Sequence, residues 1–567
     1  MRNLLVFILA LGTMSTMVAT PSEAQRRRAS EFVDLSLLVD TNYPCTWPTG
    51  FPMFQIRPFK AIGPASIYNV DVLQIDGNTG TQIDVPPHSI PRPGTNLQWE
   101  GKLGLEYTHK TLPFKFVGEA CVIDITELLD TGEPGVSPLI LVDHVRKWEA
   151  QNRELGPGDV VLFKSGYSDL YYKPYPEGYH FIAGCLDKKF SGWPDPTPET
   201  MDYLGKKGVW HVGVDSPSIG PIPDLGEPVH YAGLKHGQIF TESATNLSKL
   251  PTTGAFYCCM GPRHTDGPYG EGRSFAIQPG ELATRLIASA RAKRAIDLSV
   301  VLSSELPVTW PGRETGSHRH PYLKVDFLYA ANLDLYHHTH MMDPMAGTHL
   351  VTPSYSLPKK GFKNSSYSTE VQSWLRDYET LYGRRGSSDT TVEQIPLSQT
   401  AGNLRVIDVT GLVGSVPADT LPASPMIRPE HVSAFEAKHG TLSANEVVVF
   451  RTGHIDRTFK PAPDDSACMV DPLSGASEGW PAVSPDTIEL LSRRGIKCVG
   501  IDAPTLGGVD ARNEAFVNWL LASSGMVSVE FLHNLGAIPE DSTPYFLFAP
   551  IRINHAHGSP GRAIVLY

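Results

Sequence analysis

The chain has little cysteine for its length: seven in 567 residues, at positions 45, 121, 185, 258, 259, 468 and 498. None forms a C-x-x-C pair, and an odd, scattered set excludes both a disulfide framework and a zinc-ribbon spacing. Buried apolar thiols are the expectation. Positive charge is scarce as well. A net charge of −12 excludes a broad nucleic-acid or anionic-lipid surface, since both demand a positive field. Beyond the N-terminus no apolar run is long enough to cross a bilayer. Low complexity is missing too: 48 Pro and 51 Gly are spread without a period, which predicts many turns and long loops.

What is present at the N-terminus is ordered. Met1-Arg2-Asn3 leads into the apolar run Leu4 to Leu11, small residues follow to Ser22-Glu23-Ala24, and Arg26-Arg27-Arg28 comes next. Charge, short apolar core and an A-x-A-like end predict a cleavable secretory signal over residues 1–24, hence a secreted or periplasmic protein. A retained signal anchor is the alternative. The remaining chain has an ordinary globular composition, 41% hydrophobic and 19% charged. It is too long for one core, so two or more domains are expected.

Self-comparison divides it. Val33-Asp34-Leu35-Ser36 with Trp47-Pro48 recurs as Ile296-Asp297-Leu298-Ser299 with Trp310-Pro311. Asp159 to Gly166 recurs as Glu446 to Gly453, Val212 to Pro217 as Val499 to Pro504, and Gly272-Arg273 as Gly561-Arg562. The offset grows only from 263 (296 − 33) to 289 (561 − 272), so the order is collinear. Two homologous domains are expected, over 30–290 and 295–567. Short β-branched runs such as Val160 to Phe163 predict buried strands. Pro198 to Lys206 predicts a helix, with Thr197 as N-cap and Ser484 its counterpart. A helix feeding a strand points to an α/β fold.

One segment carries chemistry: Gly80-Thr81-Gln82-Ile83-Asp84-Val85-Pro86-Pro87-His88. Its second-half counterpart, Gly347-Thr348-His349-Leu350-Val351-Thr352-Pro353-Ser354-Tyr355, has lost the carboxylate and the last imidazole. His230 and Glu242 follow further on, the latter closing a short apolar segment that reads as a strand. Asp84 and His88 brought against His230 and Glu242 would supply oxygen and imidazole ligands suited to Zn²⁺ or Mn²⁺. The bland alternative makes Asp84 a turn residue bonding backbone amides.

The chain resembles the cyclase-like metal hydrolases, the family of bacterial kynurenine formamidase and isatin hydrolase. Their signature H-x-G-T-H-x-D-x-P-x-H aligns with Asn78 to His88. The resemblance also takes in the D-L-S and W-P openings, the G-x-D-x-P turn and the closing Gly558-Ser559-Pro560-Gly561-Arg562. It implies Asp84, His230 and Glu242 as metal ligands and His88 as the proton-transfer group. Asn78 and Gln82 replace two signature histidines, with Gln82 left as a fourth ligand. In the second copy Met345, Val351, Tyr355 and Asn518 stand at the positions of Asn78, Asp84, His88 and His230, leaving His349 and Glu530. That copy is expected to be a non-catalytic partner.

The resemblance further implies two tandem cyclase-like domains of the swivelling β/α type, packed as an internal pseudo-dimer. The activity it implies is metal-dependent hydrolysis of an amide, cyclic amide or lactone bond in a small molecule. A pseudoenzyme that binds a metal or small molecule without turnover is the alternative, and a homo-oligomer of the two-domain chain stays open. Trp47 and Phe51 are candidates for an aromatic pocket wall. His337, His338 and His340 read as a polar strand end, and Gly475-Ala476-Ser477-Glu478-Gly479 as a loop rather than a serine-hydrolase elbow.

Overall fold

A computed structural model describes residues 31–48, 52–311, 323–328 and 336–567; the N-terminal 24 residues and Phe51 lie outside that set. Each half is a mixed α/β unit. In the first, Val117–Asp124, Asp159–Lys164, His211–Val214 and Ile239–Glu242 run parallel. Their near-continuous apolar composition fits strands covered on both faces. The equivalent parallel set of the second half is Ala401–Asp408, Val447–Arg451, Cys498–Ile501 and Val527–Glu530. The helix Pro198–Lys206 forms where its cap chemistry predicts, with Thr197 Oγ1 accepting from the Thr200 amide at 3.2 Å. Ser484 caps Pro485–Arg493 in the same way.

Four strands and one helix of the first half carry the site: β1 (Val70–Asp76), β2 (Gln82–Asp84), α1 (Gly226–Leu234), β3 (Ile239–Glu242) and β4 (Tyr269–Glu271). Their counterparts are β5 (Tyr336–Met342), β6 (His349–Val351), α2 (Ala511–Ser523), β7 (Val527–Glu530) and β8 (Gly558–Leu566). β2 lies antiparallel between β3 and β4, and β6 lies likewise between β7 and β8. β8 also pairs with Tyr545–Pro550, which pairs with Ala401–Asp408, so the sheet curls back on itself.

The Gly-Thr shared by both copies has a structural cause. Gly80 and Gly347 sit at φ +68° and +59°, the left-handed region that glycine enters without a Cβ clash. The threonine that follows ties three segments together. Thr81 Oγ1 accepts from the Leu37 amide at 2.9 Å and donates to the Ser243 carbonyl at 2.7 Å. Thr348 repeats both bonds with Val300 and Phe531 at 3.0 and 2.7 Å.

The two halves share a four-stranded sheet in which β1 pairs antiparallel with β5. Its register matches Met342 with Leu73, Met341 with Gln74, His340 with Ile75 and Thr339 with Asp76. The local repeat offset is 267 (347 − 80), which makes Gln74 and Met341 equivalent as well as paired. The pairing is therefore symmetric about that rung. Each closing arginine then reaches into the other half. Arg562, 1% exposed, pairs with Asp297 at 2.5 Å, donates to the Thr108 and Thr111 carbonyls at 3.0 and 3.2 Å and lies over the Phe116 ring. Arg273 pairs with Asp34 at 2.9 Å and donates to the Pro550 carbonyl at 3.3 Å.

All seven cysteines are buried and unbridged. No helix among the described residues is long and apolar enough to cross a membrane. Gly475 to Gly479 is a loop after the helix Ser466–Ser474, with Glu478 accepting from the Gly414 and Val416 amides. The histidine cluster differs from expectation. His340 is not a polar strand end: it is fully buried and stacks on His264 of the first half, ring centroids 4.0 Å apart. The side chains of His337 and His338 lie outside the described set.

Candidate metal centre

β2 presents Gln82 and Asp84 to one face of the sheet, because side chains two apart in a strand share a side. Register places Tyr269 and Phe240 beside Asp84, and Glu271 and Glu242 beside Gln82. Asp84 is wholly buried and neither of its oxygens accepts a hydrogen bond. Burial, with the Glu242 charge adding to it, pushes its carboxyl up to about 7. An interior carboxylate without hydrogen bonds is costly unless it meets a proton or a cation.

The cation-capable neighbours come from two elements. α1 brings in His230, whose Nδ1 donates to the Gly226 carbonyl at 2.8 Å. That bond turns Nε2 toward the carboxylates, 3.5 Å from Asp84 Oδ2 and 3.4 Å from Glu242 Oε1. Burial alone would lower the His230 pKa, but those two carboxylates more than reverse it, to about 10. His88 ends a one-turn 3-10 helix opened by Pro86 and Pro87. Its ring lies edge-on to His230 and to Tyr269, at centroid distances of 5.1 and 5.0 Å. Ligand atoms of Asp84, His88 and His230 all fall within 4.8 Å of one another.

Glu242 is held by three donors: Gln82 Nε2 at 2.6 Å, the Ile219 amide at 2.5 Å and Ser218 Oγ at 3.2 Å. Ligands fixed in this way are characteristic of metal sites. The donor set suits a divalent ion, and Asp84, buried with no hydrogen bond to either oxygen and only the His230 imidazole near it, is the atom-level reason. Of the residues expected here, Asp84, His88, His230, Glu242 and Gln82 do converge. Gln82 spends its amide nitrogen on Glu242. Trp47 is half-buried with its ring edge-on to Trp193 at 6.2 Å. Ser218 and Ile219 escaped notice although their turn recurs: the Leu506 amide approaches Glu530 Oε1 at 3.4 Å, as Ile219 approaches Glu242.

If His230 gives up a proton to receive a metal, metal affinity rises with pH. The metal-free imidazole keeps its proton up to about 10, so each bound ion must expel it across the neutral range. Affinity is then expected to rise by roughly tenfold per pH unit between pH 8 and 9 for the one proton displaced from His230, and more steeply below pH 7, where Asp84 releases a second. Metal titrations at fixed ionic strength measure this, and a flat profile would remove His230 from the ligand set.

The second half has the same scaffold and different contents. His349 faces Glu530 across β6 and β7 at 3.7 Å. Asn518 donates to Glu514 Oε1 at 2.7 Å, and burial with the Glu530 charge pushes Glu514 up to about 8. Tyr68 arrives from the first half and stacks on Tyr355 at 4.5 Å and 9°. Its segment is pinned by the Asn69 amide to the Tyr355 carbonyl and by Asn69 Nδ2 to the Ser354 carbonyl, each at 2.8 Å. The cavity left beside Val351 and Asn518 measures about 10 Å³, at the lower limit for one water.

The Cyclase family model matches residues 33–221 and again 296–507, together more than half of the chain. The chain belongs to the Cyclase family. Similar members include an isatin hydrolase of Roseibium aggregatum, 34% identical over 140 residues, covering 24% of this chain and 50% of that protein. The match thus spans half the length of that relative. A kynurenine formamidase of Salinibacter ruber is 29% identical over 192 residues, 33% of this chain and 69% of its own. Among solved structures, isatin hydrolase A from Ralstonia solanacearum matches at 21% identity and TM-score 0.37, over 46% of this chain and 98% of that one. This Cyclase family chain therefore carries the family's unit twice, with the Asp–His–His group in the first copy.

Proposed function

We propose that the first half is a metal-dependent hydrolase of an amide, cyclic amide or lactone bond in a small molecule, and that the second half is its non-catalytic partner. The observation carrying this reading is Asp84, buried without a hydrogen bond to either oxygen and grouped with the imidazoles of His230 and His88. The names of the similar proteins, isatin hydrolase and kynurenine formamidase, supply the substrate class. Asp84, His230 and Glu242 would hold a zinc or manganese ion, and the Gln82 amide oxygen would be a fourth donor. Such an ion supplies an acidified water and a Lewis acid for the carbonyl.

The protein's own groups do the rest. Glu242 is locked by Gln82, Ser218 and the Ile219 amide, so it need not reorganise when charge develops. His88, 7% exposed, takes a proton at its ring from the attacking water and returns it to the leaving nitrogen or oxygen, which imidazole can do near neutral pH. Burial of the carboxylates excludes bulk water and strengthens every charge interaction nearby.

We further read the halves as an internal pseudo-dimer of swivelling β/α domains, which the symmetric β1–β5 rung supports. Residues 1–24 are read as an export signal, so that the reaction takes place outside the cytoplasm.

The test is turnover of arylformamides, cyclic amides and lactones by protein of known metal content. Activity is expected to need zinc or manganese and to vanish on chelation. His88→Ala should lower kcat by about 10²–10⁴ while the metal stays bound. Unchanged turnover would remove His88 from the mechanism. Inactivity with every metal and substrate would leave a binding protein in place of an enzyme.

A further inference from the structure

Asp195 is wholly buried and hydrogen-bonds to none of the proposed metal ligands. It sits on the short strand Asp195–Pro196, just ahead of the helix that Thr197 caps. Its Oδ2 accepts from Trp193 Nε1 at 2.9 Å and from the Gly220 amide at 2.7 Å, and its Oδ1 from Ser216 Oγ at 3.2 Å. Burying a carboxylate is costly even when donors meet it. The fold does not require one here. At the offset of 287 (484 − 197) the second half has Ala482 in place of Asp195 and Ala503 in place of Ser216, both wholly buried, with Trp480 standing for Trp193. Trp480 Nε1 turns to the Thr505 carbonyl instead, at 3.0 Å. Carboxylate and hydroxyl are thus present together in one half and absent together from the other.

What differs with them is the turn over residues 216–220, which follows the strand His211–Val214. In the first half it offers Glu242 Oε1 the Ile219 amide at 2.5 Å and Ser218 Oγ at 3.2 Å. In the second half the corresponding amide, of Leu506, stands 3.4 Å from Glu530 Oε1, and the corresponding hydroxyl, of Thr505, donates to Glu514 instead. The end of the turn bears on His230. A Cβ placed on Gly220 would meet the Gly226 Cα at 3.1 Å and lie 3.6 Å from His230 Cε1, and Gly226 supplies the carbonyl that orients the imidazole. One turn therefore abuts both a carboxylate and an imidazole of the centre, and Asp195 accepts from its first residue and its last.

We propose that Asp195 is a positioning residue of the first half's metal centre, holding the 216–220 turn in the place from which it orders Glu242 and His230 before an ion arrives. The inference deepens the metal-dependent reading of that half and rests on it. Groups that orient ligands contribute to metal affinity without touching the ion. Asn can replace the carboxylate: its carbonyl accepts from Trp193 and Gly220, and its amide reaches Ser216 Oγ, whose own proton passes to the Ser218 carbonyl 3.2 Å away. Ala cannot.

The test is the Zn²⁺ affinity of the full chain, measured by competition with a chromophoric chelator at fixed pH, with circular dichroism reporting folding. Asp195→Ala is expected to weaken binding by roughly 10–100-fold, and Asp195→Asn to restore most of it. A residue serving only the packing of the fold would lower stability in Asp195→Ala and leave the affinity of the folded protein unchanged. That result would overturn the inference while the metal centre stood. An equal loss in the Ala and Asn variants would overturn it too, because charge and not the hydrogen-bonded turn would then be responsible. Should wild type bind no Zn²⁺, the metal-dependent reading falls and the inference falls with it. If Asp195→Ala does not fold, Asp195→Ala combined with Ser216→Ala takes its place and is read in the same way, since the second half folds around that pair of alanines.

Discussion

Asp84→Asn is expected to abolish turnover, by about 10⁴-fold or more, and to release bound metal in the same variant. The size follows from what is lost together. Metal assistance supplies both an activated water and several kcal/mol of charge stabilisation, and about 5–6 kcal/mol already corresponds to 10⁴ in rate. Asn keeps the shape of the side chain but offers one neutral oxygen in place of a carboxylate. It also withdraws one of the two charges that hold the His230 pKa up. The variant should fold, since neither Asp84 oxygen accepts a hydrogen bond whose loss would matter. Elemental analysis and kinetics on the same preparation check this. Retention of both metal and activity would mean that the chemistry lies elsewhere in the chain.

The second large effect is structural. Arg562→Met is expected to destabilise the protein by roughly 3–5 kcal/mol, the cost of breaking a buried charged pair by removing one partner. Met fills much of the volume but leaves Asp297 without its closest cation and the Thr108 and Thr111 carbonyls without their guanidinium donors. Because those carbonyls belong to the first half and Arg562 to the second, the loss loosens the contact between halves. A suitable control is Arg146→Met, whose pair with Asp143 is largely exposed and should change stability by no more than about 0.5 kcal/mol. Chemical denaturation of both variants gives the comparison.

Much of this was legible in the residues. The tandem repeat, the buried parallel strands and the helix capped by Thr197 follow from short-range patterns, and local chemistry fixes them. Asp84, His230 and Glu242 were legible for another reason: the resemblance to the cyclase-like metal hydrolases implied them as ligands although they lie far apart along the chain. The position of Tyr68 was not legible, because nothing local tells a tyrosine in a loop that it will lie against Tyr355 of the other half. His340 was misjudged in the same way. A strand with alternating histidines looks solvated until a partner strand and the His264 ring cover it.

Tyr68 stacks on Tyr355, which stands at the position that His88 holds in the first half. On the proposed reading, in which the second half is non-catalytic, one chain of 62.0 kDa carries a single reacting centre. Active-site titration should count one site per chain, and saturation by substrate should be hyperbolic for an isolated chain. Any sigmoidal response would have to come from contacts between chains, because within one chain there is no second binding event to couple to the first.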